Sequence, residues 1–387
     1  MAIAPAATAA PGDSTSFATG TDAFGVAEDA DGSLWVTNTG SNSISKVGLD
    51  GTTVTYASSV PGPREITLGP GGNMWFTSSS ANQIGLISPQ GAIQSFGIAS
   101  QATDIAAGPD GNVWFTTPGN KQVGKITPTG AVTTYSTGNE AFFYMTPGPK
   151  DSNRMYMASA VNGNLGIVQM NGTVGTIAGP PNSTANNYVQ LINDQVWFIP
   201  VTANGTSTLT RLVNDASFAQ IVDAAMPSPV NIGPGAGGTM WVASFNNTIS
   251  HVTTAGAVVA TYGTGALAKR SLQAQDGNLW VTVGNGVNRI LTGVVPTSSA
   301  VPTLTPTTGL SAGTAVTATN GTWNYRPTSY SYQWQSCATS DATSCADVPG
   351  ATGQSYTVAT TDVGKYLRVG VRANNLNGTS DPAYSAL

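Results

Sequence analysis

Three observations predict an all-β fold, a seven-bladed β-propeller closed by its N-terminal strand and followed by a small Ig-like β-sandwich. A segment ending in an aromatic anchor recurs seven times, and a turn dipeptide follows most anchors at a similar distance. A stretch rich in Pro, Thr and Ser then separates these repeats from a last segment that lacks them. Four short strands in about 40 residues are typical of a propeller blade.

The aromatic anchors set the number of blades. They occur in segments such as GSLWVT, GNMWFT and GNVWFT, with successive anchors 39 to 44 residues apart. The seven anchors are Trp35, Trp75, Trp114, Tyr156, Trp197, Trp241 and Trp280. Each unit has an apolar strand, an anchor strand, a third strand after a polar loop, and an alternating fourth strand after a turn such as Asp50-Gly51. The second strand of each unit carries a large aromatic side chain, which needs the apolar space that a radial stack of sheets supplies.

The last repeat predicts how the ring closes. After Trp280 it has a third strand, GVNRIL, but it leaves the pattern at Val295-Pro296 without a fourth. Residues 14–19 match the fourth strands of the other repeats, so we expect them to complete the seventh blade and remove the exposed sheet edges. The predicted organisation is a leader remnant or flexible tail (1–13), the propeller (14–295), a linker (296–312) and the sandwich (313–387).

Composition excludes several classes of function. Charged residues make up 9% of the chain and the net charge is −5, whereas nucleic-acid binding needs clustered Lys and Arg. No apolar run approaches the roughly 18 residues of a membrane span. A single His and two Cys leave little for metal chemistry, so we expect no metal site and no cofactor.

The ends of the chain and its cysteines favour export. Residues 7–10 resemble the small-residue end of a secretory signal, although a plain flexible tail is the alternative. Cys337 and Cys345 lie eight positions apart, which suits a local disulfide across a loop. We therefore expect a secreted, extracellular protein.

The C-terminal segment resembles the Ig-like modules of bacterial secreted proteins. Tyr330, Tyr332 and Trp334 alternate as on one strand face, and Trp334 resembles the core Trp of such a domain. Asp362-x-Gly364-x-Tyr366 resembles the turn that builds a tyrosine corner. Such a module is expected to act as a spacer, or to dock other secreted proteins.

The sequence motif that the blades repeat resembles a known family more specifically. Residues 75–96 read WFTSSSANQIGLISPQGAIQSF, and residues 114–135 and 35–56 follow the same pattern. This resembles the virginiamycin B (streptogramin) lyase family of seven-bladed propellers. The resemblance implies Mg²⁺-dependent elimination on a cyclic depsipeptide, with His in a P-H-A-I-T type context and carboxylates at the same mouth.

The sequence departs from that pattern where the chemistry would lie. The matching stretch is Pro63-Arg64-Glu65-Ile66-Thr67, and Arg64 cannot act as a base near neutral pH. The family also favours Glu directly after W-F-T, where this chain has Asn38, Ser78, Thr117 and Ser244. The sole His, His251, is predicted to lie on a third strand away from the axis. We therefore expect the fold without the enzyme activity.

Propellers commonly bind ligands at one end of the central channel, so the residues there are the candidate site. Counting about ten residues back from each anchor predicts a ring of Gly25, Glu65, Asp104, Tyr144, Tyr188, a Pro near 229 and Arg270. Adding neighbours, the candidate ligand-binding residues are Arg64, Glu65, Asp104, Phe143, Tyr144, Tyr188, Lys269 and Arg270. Aromatics beside carboxylates suit sugar recognition or a protein hot spot. The alternative is that these charges only solvate the rim.

Three functional hypotheses follow. The first is a secreted, non-catalytic, lectin-like propeller that binds a glycan or another cell-surface ligand at its mouth. The second is an active Mg²⁺-dependent lyase with a rearranged site, in which Glu65 or Asp104 is the base and Arg64 the electrophile. The third is an interaction subunit of a larger secreted assembly, such as an antibacterial particle.

Overall fold

A computed structural model describes residues 10–215, 217–221, 226 and 228–387. In these residues the regular structure is β-strand with short 3₁₀ turns and no α-helix. The turns are Pro70–Gly72, Pro118–Asn120, Ala236–Gly238, Ala342–Ser344 and Thr360–Asp362. Within the described part of the chain, no helix has the length and apolar character to cross a bilayer. The predicted end of a leader, residues 7–10, falls outside the described residues except for Ala10.

The chain forms two compact units. The first comprises Ser14–Gln273 and Leu279–Ile290, and the second contains Ala274–Asn278 and Leu291–Leu387. In its described residues the first unit has seven four-stranded antiparallel sheets. These sheets are numbered blades 1 to 7 in chain order, and the innermost strands of successive blades contact one another around a closed ring.

The strands of the first three blades follow one another in the chain. Blade 1 contains β2 (Ala23–Glu28), β3 (Leu34–Asn38), β4 (Ser43–Val47) and β5 (Thr53–Ala57). Blade 2 contains β6 (Pro63–Leu68), β7 (Met74–Ser78), β8 (Gln83–Ile87) and β9 (Ile93–Gly97). Blade 3 contains β10 (Asp104–Ala107), β11 (Val113–Thr117), β12 (Gln122–Ile126) and β13 (Val132–Ser136).

The next three blades have the same order. Blade 4 contains β14 (Phe142–Pro147), β15 (Arg154–Ser159), β16 (Leu165–Gln169) and β17 (Val174–Ile177). Blade 5 contains β18 (Ser183–Ile192), β19 (Gln195–Thr202), β20 (Leu209–Asn214) and β21 (Ser217–Ile221). Blade 6 contains β22 (Pro229–Pro234), β23 (Met240–Ser244), β24 (Thr248–Val252) and β25 (Val258–Gly263).

Blade 7 joins the two ends of the ring. It contains β26 (Ser271–Gln273), β27 (Leu279–Val283) and β28 (Gly286–Ile290), and its fourth strand is β1 (Ser14–Ala18). β1 pairs antiparallel with β28, with Ser14 opposite Ile290 and Ala18 opposite Gly286. The predicted seven-bladed propeller, closed by its N-terminal strand, is confirmed.

The anchors form the core between blades. All seven are buried, and the six Trp anchors are at most 1% exposed. An aromatic of the fourth strand stacks on the Trp in several blades, as Tyr56 does on Trp35 with ring centroids 5.8 Å apart. Such pairs contribute about 0.5–1.5 kcal/mol beyond the buried area.

The glycine of the turn before the fourth strand fits against the preceding blade. Gly91 has a φ of +91°, and a Cβ atom there would lie 2.1 Å from the Tyr56 ring. Only glycine meets both requirements, since other residues rarely adopt this left-handed backbone conformation. Gly51, Gly130 and Gly172 lie in the same way against Phe17, Phe96 and Tyr135, so in four blades the turn glycine packs against the preceding blade.

In two blades a buried or partly buried aspartate forms a hydrogen bond with the anchor Trp and an ion pair with a Lys. In blade 1 the Trp35 indole N–H donates to Asp29 at 2.9 Å, and Lys46 pairs with the same carboxylate at 3.1 Å. The Lys46 ammonium also lies 5.2 Å from the centroid of the Trp35 ring. Blade 3 repeats the arrangement with Asp110, Trp114 and Lys125. Burial alone would raise the pKa of Asp29, but these hydrogen bonds outweigh it and lower that pKa.

His251 occupies the position of Lys46 in its own blade. It lies on the third strand of blade 6, and its ring stacks on Trp241 with centroids 4.5 Å apart. Its Nε2 lies 2.7 Å from the Thr239 hydroxyl, and burial lowers the pKa of the imidazole. The predicted third-strand placement is confirmed.

Bulges interrupt the innermost strands of five blades, and the Thr of the W-x-T motif joins neighbouring blades. Register shifts occur in five blades, at Ala23/Val26, Pro63/Ile66, Phe142/Tyr144, Asn186/Val189 and Pro229/Asn231. The Thr282 hydroxyl accepts the Arg270 backbone N–H at 3.0 Å and donates to the Phe24 carbonyl of the next blade at 2.6 Å. Thr37 makes the equivalent bonds to Gly25 and to the Arg64 carbonyl. Each Thr thus joins its blade to the following one.

We expect Thr282→Val to destabilise the propeller by about 1–3 kcal/mol, because an isosteric side chain leaves a buried N–H and a buried carbonyl without their partner. The measurement is urea denaturation followed by tryptophan fluorescence. Thr133→Val is the control, since Thr133 is exposed on β13 and such changes stay within about 0.5 kcal/mol. Equal midpoints for the two variants would contradict the role given to Thr282.

The second unit contains three small sheets. A two-stranded sheet pairs β29 (Thr297–Ala300) with β32 (Thr322–Asn324). A three-stranded sheet contains β30 (Leu304–Thr305), β31 (Ala315–Ala318) and β35 (Ser355–Thr357). A five-stranded sheet contains β33 (Ser329–Cys337), β34 (Cys345–Asp347), β36 (Tyr366–Asn375), β37 (Gly378–Thr379) and β38 (Ala383–Tyr384).

One core lies between the two larger sheets of this unit. Trp334 of β33 is fully buried there with Val316 of β31 and Val369 of β36. The predicted Cys337–Cys345 disulfide is confirmed, and it joins the paired strands β33 and β34. Tyr366 differs from the expectation for a tyrosine corner because it is 46% exposed, and the hydroxyl of Tyr356 donates to Asp362 instead. The Ig-like assignment stays a prediction.

Candidate functional site

Seven equivalent positions on the innermost strands form what we call the channel ring. Each lies two residues before the residue that pairs with an anchor, as Glu65 precedes Thr67, which is opposite Trp75. The channel ring comprises Gly25, Glu65, Asp104, Tyr144, Tyr188, Asn231 and Arg270. Six of these follow from the sequence count. The Pro near 229 was the wrong choice in blade 6, because Asn231 lies ten residues before Trp241 and two before Gly233, which pairs with that anchor.

A buried ion pair spans the channel ring. The Arg270 guanidinium donates to both oxygens of Glu65, with Nε 3.0 Å from Oε2. The Arg270 and Glu65 side chains are 13% and 8% exposed, which is deep burial for two charges. They belong to blades 7 and 2, and blade 1 between them contributes Gly25, which has no side chain. Burial alone would lower the pKa of Arg270, but Glu65 outweighs it and raises that pKa.

Asp104 is the second carboxyl group of the channel ring. It is 6% exposed and accepts the backbone N–H of Ile105 and, from the next blade, that of Met145, each at 2.8 Å. Burial, followed by repulsion from Glu65, raises the pKa of Asp104 to about 8. At neutral pH this carboxyl is therefore mostly protonated and carries an O–H that can donate a hydrogen bond.

Two tyrosines complete the polar part of the channel ring. The rings of Tyr144 and Tyr188 lie 5.4 Å apart, and the Arg270 guanidinium lies 4.7 Å from the Tyr188 ring. Burial raises the pKa of both phenols, so both stay neutral and keep their hydroxyl groups.

A cavity of about 390 Å³ begins at the channel ring. It extends toward the end of the channel where the innermost strands finish, which we call the lower end, and Glu28, Pro147 and Gln273 lie on its wall. Its polar lining comes from blades 1, 2, 3, 4, 5 and 7 and includes Glu28, Glu65, Thr67, Asp104, Thr146, Tyr188, Gln190, Arg270, Ser271 and Gln273. The sequence reasoning missed Thr67, Thr146 and Gln190. Counting two residues on from the channel ring would have found them.

The other candidates lie at the upper end, where the innermost strands begin. Arg64 and Lys269 directly precede ring positions, and both contact Phe24, with the Arg64 guanidinium carbon 4.1 Å and the Lys269 ammonium 5.5 Å from the ring centroid. Phe143 is half-buried, and its carbonyl accepts the Thr103 hydroxyl at 2.9 Å. Among the described residues, Arg64, Phe143, Tyr144 and Lys269 are not in the cavity lining. The candidate residues that were predicted to share one mouth therefore lie at two ends of the channel.

The carboxyl groups here do not fit the Mg²⁺ that the family resemblance implies. Both oxygens of Glu65 are bonded by Arg270, and both oxygens of Asp104 accept backbone N–H groups. Mg²⁺ needs near-octahedral oxygen ligands with free lone pairs. In the part of the chain that the structure describes, no group of three or more His, Cys, Asp and Glu side chains is placed to hold a metal ion.

The propeller resembles solved lyase structures. Catalytically inactive virginiamycin B lyase from Staphylococcus aureus with quinupristin is 21% identical, with a TM-score of 0.64 over 72% of this chain and 98% of that one. A streptogramin B lyase is 20% identical, with the same TM-score over 72% and 96%. The extracellular domain of a hybrid two-component system from B. thetaiotaomicron is 15% identical, with a TM-score of 0.54 over 78% and 45%. At these identities the likeness shows the fold alone.

The sequence comparison goes further than the structural one. No match was found among curated proteins. Residues 13–258, which are most of the propeller, match the virginiamycin B lyase family. The chain therefore belongs to the virginiamycin B lyase family.

Proposed function

We propose that this chain is a secreted, non-catalytic binding protein whose propeller recognises an uncharged, hydroxyl-rich ligand such as a glycan of a cell surface. The observation that carries the proposal is the channel cavity, where polar side chains of six blades converge. Its volume of about 390 Å³ falls in the range of roughly 300–1,000 Å³ typical of small-molecule sites.

The chemistry of the lining supports a sugar-like ligand. Gln190 and Thr67 offer amide and hydroxyl groups, and protonated Asp104 offers an O–H donor. Tyr188 supplies an aromatic surface in the same wall. Hydroxyl groups need such alternating donors and acceptors when water is excluded.

The absence of catalysis is supported by the side chain at the family's His position. Arg64 stands there, exposed and stacked on Phe24, and a guanidinium cannot take a proton near neutral pH. His251, the one imidazole of the chain, stacks on Trp241 in the third strand of blade 6. Neither residue offers a base to the channel cavity.

We expect the purified chain to bind neutral oligosaccharides on a glycan array, and Gln190→Ala to weaken that binding about five- to tenfold through the loss of one hydrogen bond. Gln94→Ala is the matched control, since Gln94 is exposed on β9. A negative array, or equal affinities of the two variants, would place the ligand elsewhere. Chelator-sensitive opening of a cyclic depsipeptide would overturn the non-catalytic assignment and restore the lyase alternative.

A further inference from the structure

Three cationic side chains contact one aromatic ring at the upper end of the channel. The guanidinium carbons of Arg64 and Arg270 lie 4.1 Å and 4.9 Å from the centroid of Phe24, and the Lys269 ammonium lies 5.5 Å from it. We call Phe24, Arg64 and Lys269 the Phe24 cluster. With only 14 Lys and Arg in the chain, this is a marked concentration of positive charge.

The neighbouring carboxylates leave one of these charges uncompensated. Arg270 pairs with Glu65, and Lys269 forms an ion pair with Asp22. Arg64 is exposed, and within the described ranges no ion pair joins it to a carboxylate. The protonated Asp104 adds no negative charge at neutral pH. The three cations around Phe24 therefore have two carboxylate partners between them, and the exposed Arg64 guanidinium is the one without an ion pair.

The three cations around Phe24 contribute little to the stability of the fold. A cation over an aromatic ring at an exposed site contributes about 0.5–1 kcal/mol, and repulsion among three cations on one ring opposes that gain. The bulge between Pro63 and Ile66 places Arg64 beside the channel ring, and bulges commonly re-aim a side chain at a binding site. A bound anion would relieve the repulsion and complete the charge balance.

We propose that the Phe24 cluster binds the carboxylate of an acidic polysaccharide, with Arg64 as the main ligand-binding residue and Lys269 as a second contact. This goes beyond the proposed function, because it concerns a charged ligand and the opposite side of the channel ring from the cavity. The planar guanidinium matches a carboxylate through two parallel hydrogen bonds. Its stacking on Phe24 holds that fork in one orientation.

The experiment is a titration of the full chain with polygalacturonate by isothermal calorimetry at low salt. Highly methyl-esterified pectin is the neutral probe of the same sugar chain, and a glycerol-phosphate teichoic acid is the phosphodiester probe. Arg64→Gln removes the proposed contact. Lys150→Gln is the control because Lys150 is an exposed cation between β14 and β15, at the lower end.

We expect polygalacturonate to bind more tightly than the esterified pectin, with the affinity for polygalacturonate falling as salt rises. Arg64→Gln should weaken binding about 10- to 100-fold, as charge-assisted hydrogen bonds do, and Lys150→Gln should not. Equal affinities of the two variants, or no binding of polygalacturonate, would overturn the proposal, and tighter binding of the teichoic acid would overturn the carboxylate assignment. The Gln190→Ala test with neutral oligosaccharides is independent, so either proposal can fail alone.

Discussion

Replacing Glu65 with Gln should destabilise the propeller by on the order of 3–5 kcal/mol, because the Arg270 guanidinium would stay buried without its counter-charge. Glu65 bonds Arg270 with both carboxylate oxygens, and the two side chains are only 8% and 13% exposed. Gln keeps the volume of Glu and one acceptor oxygen, so the loss reports the charge and not a cavity. Urea denaturation of the variant and the parent chain measures it.

Two further variants separate burial from the ion pair itself. Asp215 also pairs with an arginine, Arg154, at 3.0 Å, but its side chain is 53% exposed, so Asp215→Asn should cost no more than about 1 kcal/mol. The double variant Glu65→Leu/Arg270→Met replaces the buried pair with apolar side chains and should recover most of the stability lost in Glu65→Gln. A double variant as unstable as the single one would show that the pair is not the source of the loss.

The second large effect is a fall in stability with rising pH that depends on Asp104. The folded state raises the pKa of this carboxyl from its ordinary value of 3.8 to about 8. Between these values the unfolded chain releases the proton while the folded chain keeps it, so the stabilising contribution is full below pH 4 and is lost as pH rises toward 8. We expect a difference on the order of a few kcal/mol across this window, which Asp104→Asn should remove.

The control for this prediction has the opposite sign. The pKa of Asp29 is lowered by its hydrogen bonds to Trp35 and Lys46, so its contribution is present above pH 4 and lost only in stronger acid. Asp29→Asn should therefore shift the stability curve by a constant amount between pH 5 and 8. Glu65→Gln should narrow the Asp104 window, since Glu65 is the second cause of the raised pKa. Parallel curves for the parent chain and Asp104→Asn would contradict the assignment.

Most of the channel ring could be predicted by counting residues back from the aromatic anchors. The distance from the anchors identified six of the seven positions of the channel ring, because in most blades ten residues separate the ring position from the anchor. The exception came from blade 6, where Asn231 lies at that distance but the Pro near 229, on the other side of a bulge, was chosen. The same bulges separate neighbours such as Arg64 and Glu65, so that one is exposed and the other buried. Single-sequence periodicity does not report bulges, since they depend on the pairing partner.

The repeated W-x-T motif shows a second limit of prediction from the sequence. The Thr was visible in most repeats but had no assigned role, because its partners lie on two strands of different blades. Thr282 bonds Arg270 in its own blade and Phe24 at the far end of the chain. The sequence shows that the Thr is repeated, but it does not show the hydrogen bonds of the Thr, because the partners are brought together only by the fold.

The sequence by itself determined the all-β class, the number of blades, the closing strand and the disulfide, because each depends on local periodicity or on a repeated turn. The tertiary structure alone decided that Arg270 and Glu65, 205 positions apart, form a buried pair, that Asp104 holds its proton, and that the candidates divide between two ends of the channel. The physical reason is that these properties arise where seven separate strands meet. Burial and charge there depend on which side chains the closed ring brings together.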